Sequence, residues 1–152
     1  MLKLWTNAEF PPEPTRRFEA GVSSHELIRA QESSSLNLIS APPDARLLEA
    51  EIAFGQPDVE QLFESERLKW VHLTTAGYTK YDRDDLRESF RQRGIVMTNS
   101  SSVYAEPCAQ HALAMILGFA RQLILSYDEQ RSDRAWSYVD IRRRSFLMGG
   151  QS

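Results

Sequence analysis

The fold of this chain is decided by the stretch LKWVHLTTAGY, residues 68–78. Its first six residues include Trp70, Val71 and Leu73, and this apolar run predicts a short strand. The following residues, 74–78, are small or polar up to the tyrosine, which indicates a loop. A strand this short and apolar is typical of a parallel sheet that is covered on both faces.

Segments of the same kind lie on either side of this stretch and alternate with segments of helical pattern. Further strands are predicted at 2–5, 52–54 and 95–97, the last expected to be buried, and residues 25–30 fit either a strand or a helix. Helices are predicted at 12–20, after Pro57-Asp58, at 84–93 before Gly94, and at 105–127, with a short helical turn at 45–50. Residues 33–43 indicate a loop with a brief extended piece at 36–39. This alternation predicts an α/β fold, a doubly wound parallel sheet of about five strands followed by a long helix and a polar tail.

The composition is that of one globular domain. The chain has 152 residues, of which 41% are hydrophobic and 26% are charged. A chain of this length and composition can form a hydrophobic core without disulfides or structural metals. A net charge of −3 argues against nucleic acid as the main partner, because such partners favour a basic face. The longest apolar stretch, 112–120, is too short for a bilayer, and no signal peptide precedes it, so a cytoplasmic protein without a membrane partner is expected.

Two loops are candidate binding segments, because ligands of open α/β sheets bind beyond the carboxyl ends of the strands. Residues 74–77 are small, so a ligand can approach the backbone, and successive N–H groups can form an anion-binding nest. The alternative is a plain turn that needs Gly77 for its dihedral angles. Residues 98–102 suit either the lip of a polar site or an ordinary loop leading into the long helix.

Motifs for other chemistry are absent from the sequence, which contains no G-x-G-x-x-G, Walker loop, H-E-x-x-H or G-x-S-x-G. Of the three dispersed histidines, His72 is expected to be partly buried with its hydrogen bonds made, and His111 to be a structural hydrogen-bonding residue. The single cysteine, Cys108, excludes a disulfide framework and is expected to be a small buried side chain. No metal site is predicted.

Three segments together resemble the D-isomer-specific 2-hydroxyacid dehydrogenases. Residues 68–78 are similar to the strand and substrate loop of that family, residues 94–99 to the strand that follows, and residues 103–114 to the start of its long crossover helix. The spacing among the three segments also matches. The resemblance covers residues 51–127 well and the first fifty loosely, and the ordered set is more specific than any single motif.

This resemblance implies the flavodoxin-like, substrate-binding lobe of a two-domain oxidoreductase. Such enzymes use NAD or NADP to transfer hydride to or from C2 of a 2-hydroxy or 2-keto acid. The backbone N–H groups of Ala76 and Gly77 would bind the substrate carboxylate, with Thr75 and Tyr78 beside them. Tyr104 stands where many relatives carry an Asn near the active site, so it joins the implied substrate-binding set and indicates a divergent subgroup.

The family's catalytic Arg, Glu and His and its glycine-rich turn come from the nucleotide-binding domain and its flank, and they have no counterpart here. The expected organisation is a lobe at 1–104, a crossover helix at 105–127, and an Arg-rich tail or linker at 128–152 toward a missing nucleotide-binding domain. We therefore expect a truncated chain with no catalytic or cofactor-binding residue, inactive on its own. His25, His72 and His111 do not take the role of the family's catalytic histidine.

The long helix is apolar over most of its circumference and is expected to be buried on more than one side. A homodimer through this helix and the tail would cover it, while a tail that folds back, using Trp136, Tyr138, Phe146 and Leu147, is the competing expectation. The alternative function is a stand-alone flavodoxin-like module that binds a small anion or dimerises. A receiver domain is a weaker version of this alternative, because its acidic pair is missing.

Overall fold

The computed structural model describes residues 1–34, 42–132 and 137–149. The extended piece expected at 36–39 and Trp136 lie outside the described residues. The chain divides into two compact units, Met1–Val103 and Tyr104–Ser152. The first unit contains the sheet, and the second contains three helices.

The sheet of the first unit has five strands, all parallel, in the order β2-β1-β3-β4-β5. This is the strand order of flavodoxin-like doubly wound folds, so the predicted fold class is confirmed. Residues 26–30, which the sequence left open between strand and helix, belong to a strand. The strands are β1 (Lys3–Ala8), β2 (Glu26–Ser34), β3 (Ile52–Gly55), β4 (Trp70–Leu73) and β5 (Val96–Asn99).

Three α-helices lie between the strands: α1 (Pro12–Gly21), α2 (Val59–Glu64) and α3 (Asp84–Arg93). Short 3-10 helices lie at Ala45–Glu49, Thr79–Tyr81 and Ser101–Tyr104. Local sequence explains their ends. The carboxylate of Asp58 caps α2 by accepting hydrogen bonds from the N–H groups of Glu60 and Gln61, each over 3.1 Å. Gly94 ends α3 in the left-handed region at φ 68°, as its position predicted.

The core lies against one face of the sheet. Trp5, Ala53 and Val71 are adjacent in the strand register and fully or almost fully buried. They form one cluster with side chains from α2, α3 and the 3-10 helix at 45–49, chiefly Leu47, Leu62, Leu86 and Phe90. This burial of aliphatic and aromatic surface is the main stabilisation of the first unit.

The opposite face of the sheet is covered only in part. Four residues on this face are paired in register across β1, β3, β4 and β5. Their exposed fractions increase along the sheet: Leu4 5%, Ile52 8%, Trp70 40% and Val96 57%. The strand predicted at 95–97 is therefore present, and the expectation that it is buried is confirmed for Ile95, at 7% exposed, but wrong for Val96. Val96 lies on the same face as Trp70, which is exposed although β4 is an inner strand, so the incomplete cover of this face leaves both side chains exposed.

The second unit contains α4 (Ala105–Ala120), α5 (Leu123–Ser132) and α6 (Tyr138–Arg144). The prediction of one helix over 105–127 is wrong, because Gln122 adopts a left-handed φ of 56° and interrupts it. The carbonyl oxygen of Phe119, near the end of α4, accepts from the N–H of Gln122 over 3.1 Å and from its Nε2 group over 3.0 Å. Among the described residues no single helix is long and apolar enough to cross a bilayer. Residues 101–120 and 123–132 reach that length and composition only as a pair bent by 62°.

The apolar surface of α4 and α5 is exposed, contrary to the expectation that the long helix is buried. Of the residues of these two helices only Ala120 is buried, and Cys108 and His111 are both exposed. Phe146 packs against Phe119 with ring centroids 6.4 Å apart, and its N–H donates to the carbonyl oxygen of Ala120 over 3.0 Å. The tail thus packs on the end of α4, but three short helices without a sheet cannot bury the whole apolar surface.

Candidate functional site

The carboxyl ends of β3, β4 and β5 lie side by side at the same end of the sheet. Gly55 is paired with Leu73, and Leu73 with Asn99, so the three strands end at the same level. The residues that end or follow these strands therefore meet. We call them the carboxyl-end cluster, which consists of Gln56, the loop 74–78, Asn99 and Ser100.

The loop 74–78 is held by the end of β5. The Nδ2 group of Asn99 donates to the carbonyl oxygen of Ala76 over 2.8 Å. The N–H of Ser100 donates to the carbonyl oxygen of Thr75 over 3.1 Å, and its hydroxyl donates to that of Leu73 over 3.0 Å. Two of these contacts fix carbonyl groups of the loop toward the end of β5, and the third fixes the last residue of β4.

Gln56 holds the same loop from the side of β3. Its Nε2 group donates to the hydroxyl oxygens of Thr74 and Thr75 over 3.3 and 3.1 Å. The backbone of Gln56 is itself fixed by Asn7 at the end of β1, because its N–H donates to Oδ1 over 2.8 Å and its carbonyl accepts from Nδ2 over 3.0 Å. Asn7 and Gln56 are each 2% exposed. A buried side-chain amide that makes both of its hydrogen bonds is a rigid support.

Sequence reasoning missed Asn7 and Gln56. The only signal available was that each polar residue stands near the carboxyl end of an apolar strand. Their pairing joins residues 49 positions apart, and no local pattern reports a contact over that distance.

Gly55 is required beside this pair. Its φ of 141° lies in the region that favours glycine, and a Cβ atom there would lie 2.1 Å from Oδ1 of Asn7. No heavy atom can be that close without displacement of the Asn7 amide, so only glycine allows the pairing between Asn7 and Gln56.

The N–H groups of Ala76 and Gly77 are available to a ligand. Among residues 1–34, 42–132 and 137–149, no acceptor takes a hydrogen bond from either group. Gly77 has no positive φ, and no atom lies within 4 Å of the position that its Cβ would take. The alternative that this turn needs Gly77 for its dihedral angles is therefore not supported, and the space over the loop is open.

The sequence-derived site residues fall into both units. Thr75 and Ala76 are half-buried, Gly77 and Tyr78 are exposed, and all four belong to the loop of the first unit. The hydroxyl of Thr75 donates to the carbonyl oxygen of Gly77 over 2.7 Å, which tightens the loop. Tyr104 is the first residue of the second unit and is 40% exposed.

His72 is a supporting residue on β4. Its Nδ1 lies 2.9 Å from the hydroxyl of Thr98, its Nε2 lies 3.1 Å from that of Ser100, and its ring stacks on Phe54 at 5.2 Å. The prediction of a partly buried, hydrogen-bonded His72 is confirmed. Burial lowers the pKa of His72, so the neutral imidazole is favoured.

A pocket of about 230 Å³ opens next to the loop. It is lined by Leu73, Tyr78, Met97, Thr98 and Asn99. Every side chain of this pocket and of the carboxyl-end cluster is uncharged. In the part of the chain that the structure describes, no three His, Cys, Asp or Glu side chains come together as metal ligands. The arrangement can therefore offer backbone hydrogen bonds to an anion, and none of its own side chains carries a like charge.

No protein-family model matches the sequence, and a search of curated proteins found no significant match. Solved structures do resemble the chain, and they are oxidoreductases of the type that the sequence segments resemble. D-lactate dehydrogenase from Aquifex aeolicus, complexed with NAD and lactic acid, has a TM-score of 0.63 and 22% identity over 89% of this chain.

Two further solved structures extend the comparison. The NADPH-dependent glyoxylate/hydroxypyruvate reductase from Sinorhizobium meliloti, in complex with NADP and malonate, has a TM-score of 0.55 and 21% identity over 96% of this chain. D-mandelate dehydrogenase from Rhodotorula graminis, in its apo form, has a TM-score of 0.65 and 15% identity over 95% of it. This chain spans 38%, 41% and 45% of the three proteins in the order given. At these identities the likeness establishes the fold.

Proposed function

We propose that this chain is the substrate-binding lobe of an NAD- or NADP-dependent oxidoreductase that acts on 2-hydroxy and 2-keto acids. The observation that carries the proposal is the pair of N–H groups at Ala76 and Gly77, which have no acceptor among the described residues, at the carboxyl-end cluster. The fold shared with dehydrogenases that bind small carboxylic acids supports this assignment.

The substrate carboxylate binds to the N–H groups of Ala76 and Gly77. Hydrogen bonds to an ionised acceptor are about twice as strong as neutral ones. The carbonyl groups of the loop are already bonded to Asn99 and Ser100, so the loop does not have to become ordered when the acid binds. A pre-ordered site loses less entropy on binding and therefore holds its ligand more tightly.

Thr75, Tyr78 and Tyr104 complete the proposed binding set. Thr75 acts by holding Gly77 through its hydroxyl group. Tyr78, 48% exposed, stands at the rim of the loop and limits access to it. Tyr104 is assigned to this set by the resemblance of its sequence position alone.

The first turns of α1, α2, α3 and α4 do not suit the pyrophosphate of a dinucleotide cofactor. A pyrophosphate is held by N–H groups at a helix N-terminus, where negative charge is stabilised. Each of these four α-helices carries acidic residues at that end: they are Glu13, Asp58, Glu60, Asp84, Asp85 and Glu106. In the proposal, the cofactor and the acid–base group of hydride transfer come from outside these 152 residues, and the chain alone is inactive.

A titration of pyruvate against the chain, followed by NMR chemical shifts, tests the proposed site. Gly77→Val blocks the approach to the loop, while no atom of the fold lies within 4 Å of its Cβ position, so pyruvate affinity falls at least tenfold and stability changes little. Gly21→Val is the matched control, because no atom lies within 4 Å of its Cβ position and it lies away from the loop. Unchanged pyruvate affinity in Gly77→Val would refute the site.

Calorimetry tests the cofactor assignment separately. At millimolar NADH or NADPH we expect no saturable heat. Binding with 1:1 stoichiometry would place the cofactor site within this chain and overturn that part of the proposal.

We also propose that the chain forms a homodimer through α4 and the helices that follow it. The observation in favour is the exposure of six large apolar side chains of α4 and α5, which range from 46% to 72% exposed: Leu113, Met115, Ile116, Phe119, Leu123 and Ile124. We call this set the α4–α5 apolar surface. Contiguous apolar surface is uncommon on monomers and usually marks an interface.

A further inference from the structure

The 230 Å³ pocket lined by Leu73, Tyr78, Met97, Thr98 and Asn99, here called the side pocket, shares two residues with the proposed carboxylate site. Tyr78 ends the loop and lines the pocket. Asn99 lines the pocket and donates from its side chain to the carbonyl oxygen of Ala76 over 2.8 Å. The side pocket therefore adjoins the loop that is proposed to hold the carboxylate.

The lining of the side pocket is uncharged and mostly apolar. Leu73 is fully buried, Met97 packs against the core, and the ring of Tyr78 adds a third apolar wall. The polar lining residues are Thr98 and Asn99, of which Asn99 already bonds to Ala76. Because no cationic residue lines the pocket, a second carboxylate or a phosphate would lose hydration there without gaining a partner.

The size of the side pocket suits part of a ligand. Pockets that enclose drug-sized molecules usually have volumes of roughly 300–1,000 Å³. A pocket of 230 Å³ is smaller, and it has room for an alkyl substituent of a few carbon atoms.

We infer that the side pocket binds the apolar substituent of the acid, which makes the substrate class 2-keto and 2-hydroxy acids with a medium-sized alkyl side chain, such as isobutyl. This inference rests on the proposed function, because the loop 74–78 must hold the carboxylate. It goes beyond that function by excluding acids whose substituent is charged.

The test is an NMR titration of the chain with three 2-keto acids, namely pyruvate, 4-methyl-2-oxovalerate and oxaloacetate. Burial of one methylene strengthens binding about fourfold, so three added carbons in a partly open pocket give at least a tenfold gain over pyruvate. Oxaloacetate is expected to bind no more tightly than pyruvate. In the complex with 4-methyl-2-oxovalerate, nuclear Overhauser contacts join the ligand methyl groups to those of Leu73 and Met97.

A variant checks that the gain comes from this pocket. Met97→Phe narrows the pocket, so the preference for 4-methyl-2-oxovalerate falls below threefold while pyruvate still binds. Gln92→Phe is the control, since Gln92 is exposed on α3 and away from the pocket. If Met97→Phe does not fold, the ligand series and the methyl contacts in the unaltered chain decide the matter.

The outcomes separate the two claims. If pyruvate and 4-methyl-2-oxovalerate bind equally, or oxaloacetate binds most tightly, the side-pocket inference is wrong and the carboxylate site stands. If none of the three acids binds, the proposed function fails together with the inference.

Discussion

The side-chain amide of Asn99, at the end of β5, donates to the carbonyl oxygen of Ala76 in the loop that follows β4, over 2.8 Å. This hydrogen bond joins the end of the last strand to the loop between β4 and α3, and it holds the backbone whose N–H groups are proposed to bind the substrate. Asn99 therefore contributes to carboxylate binding by positioning the loop.

Replacement of this amide is the first prediction. Asn99→Leu keeps a similar shape but removes the donor, which costs about 1 kcal/mol of unfolding free energy. Because the loop is no longer held, pyruvate affinity falls about fivefold, roughly 1 kcal/mol. Urea unfolding and pyruvate titration measure the two effects, with Gln92→Leu on the exposed face of α3 as control. A variant that keeps full pyruvate affinity would contradict the positioning role of Asn99.

Gly55 provides a prediction for stability. In Gly55→Ala the new methyl group would lie 2.1 Å from Oδ1 of Asn7, so the amide must move and both of its hydrogen bonds to Gln56 break. We expect a loss of about 2–4 kcal/mol, combining an unfavourable φ with two buried polar groups. Gly21→Ala, with open space around it, serves as the control and changes stability by less than about 1 kcal/mol. Equal urea midpoints for the two variants would refute this account of Gly55.

The environment of Asp44 leads to a prediction of how the free energy of unfolding depends on pH. Burial acts to raise its pKa, but hydrogen bonds from the N–H of Arg46, the indole of Trp5 and the N–H of Gln31 outweigh burial and hold the pKa below its ordinary value. The folded pKa is thus lower than the unfolded one. The carboxylate therefore stabilises the fold fully above the unfolded pKa of about 3.9, and the contribution is lost as pH falls through the folded value.

Urea midpoints between pH 2 and pH 7 check this expectation. Asp44→Asn is about 1–3 kcal/mol less stable than the unaltered chain at pH 7, since the buried donors lose an ionised acceptor. The difference shrinks as pH falls below about 4. Glu13→Gln, at an exposed position of α1, is the control. A difference that is constant over the whole range would show that the charge of Asp44 does not contribute.

The α4–α5 apolar surface predicts self-association. Light scattering at micromolar concentration should give about twice the chain mass of 17.4 kDa. Ile116→Lys combined with Phe119→Lys places two charges on the surface and should give the single-chain mass, whereas Gln92→Lys should leave the dimer intact. A single-chain mass for the unaltered protein, also after removal of residues 128–152, would overturn the dimer proposal.

The sheet and its helices were predictable because their signals are local. Short apolar runs mark the strands, and Gly94 and Asp58 mark helix ends where their backbone or side-chain chemistry is needed. The loop 74–78 was predictable for the same reason, since small residues directly after a buried strand are a local pattern.

What sequence reasoning missed depends on neighbours that are distant in the chain. Val96 is apolar and was expected to be buried, but it lies on the face of the sheet that is covered only in part, whereas its neighbour Ile95 is in the core. Cys108 and the rest of α4 have the composition of a core helix, yet composition does not report whether a covering partner exists. The helix break at Gln122 was not predicted, because the residue at the break is neither glycine nor proline.

The carboxyl-end cluster has a consequence for how a ligand can be found. Its members end or follow three different strands and are joined by contacts between residues 18 and 23 positions apart, and Asn7 supports Gln56 from 49 positions away, so the cluster disperses when the sheet unfolds. Occupancy and global unfolding are therefore thermodynamically linked. An acid at a hundred times its dissociation constant adds about 2.7 kcal/mol to the unfolding free energy. A thermal-shift screen of small acids can thus identify the ligand without any catalytic turnover.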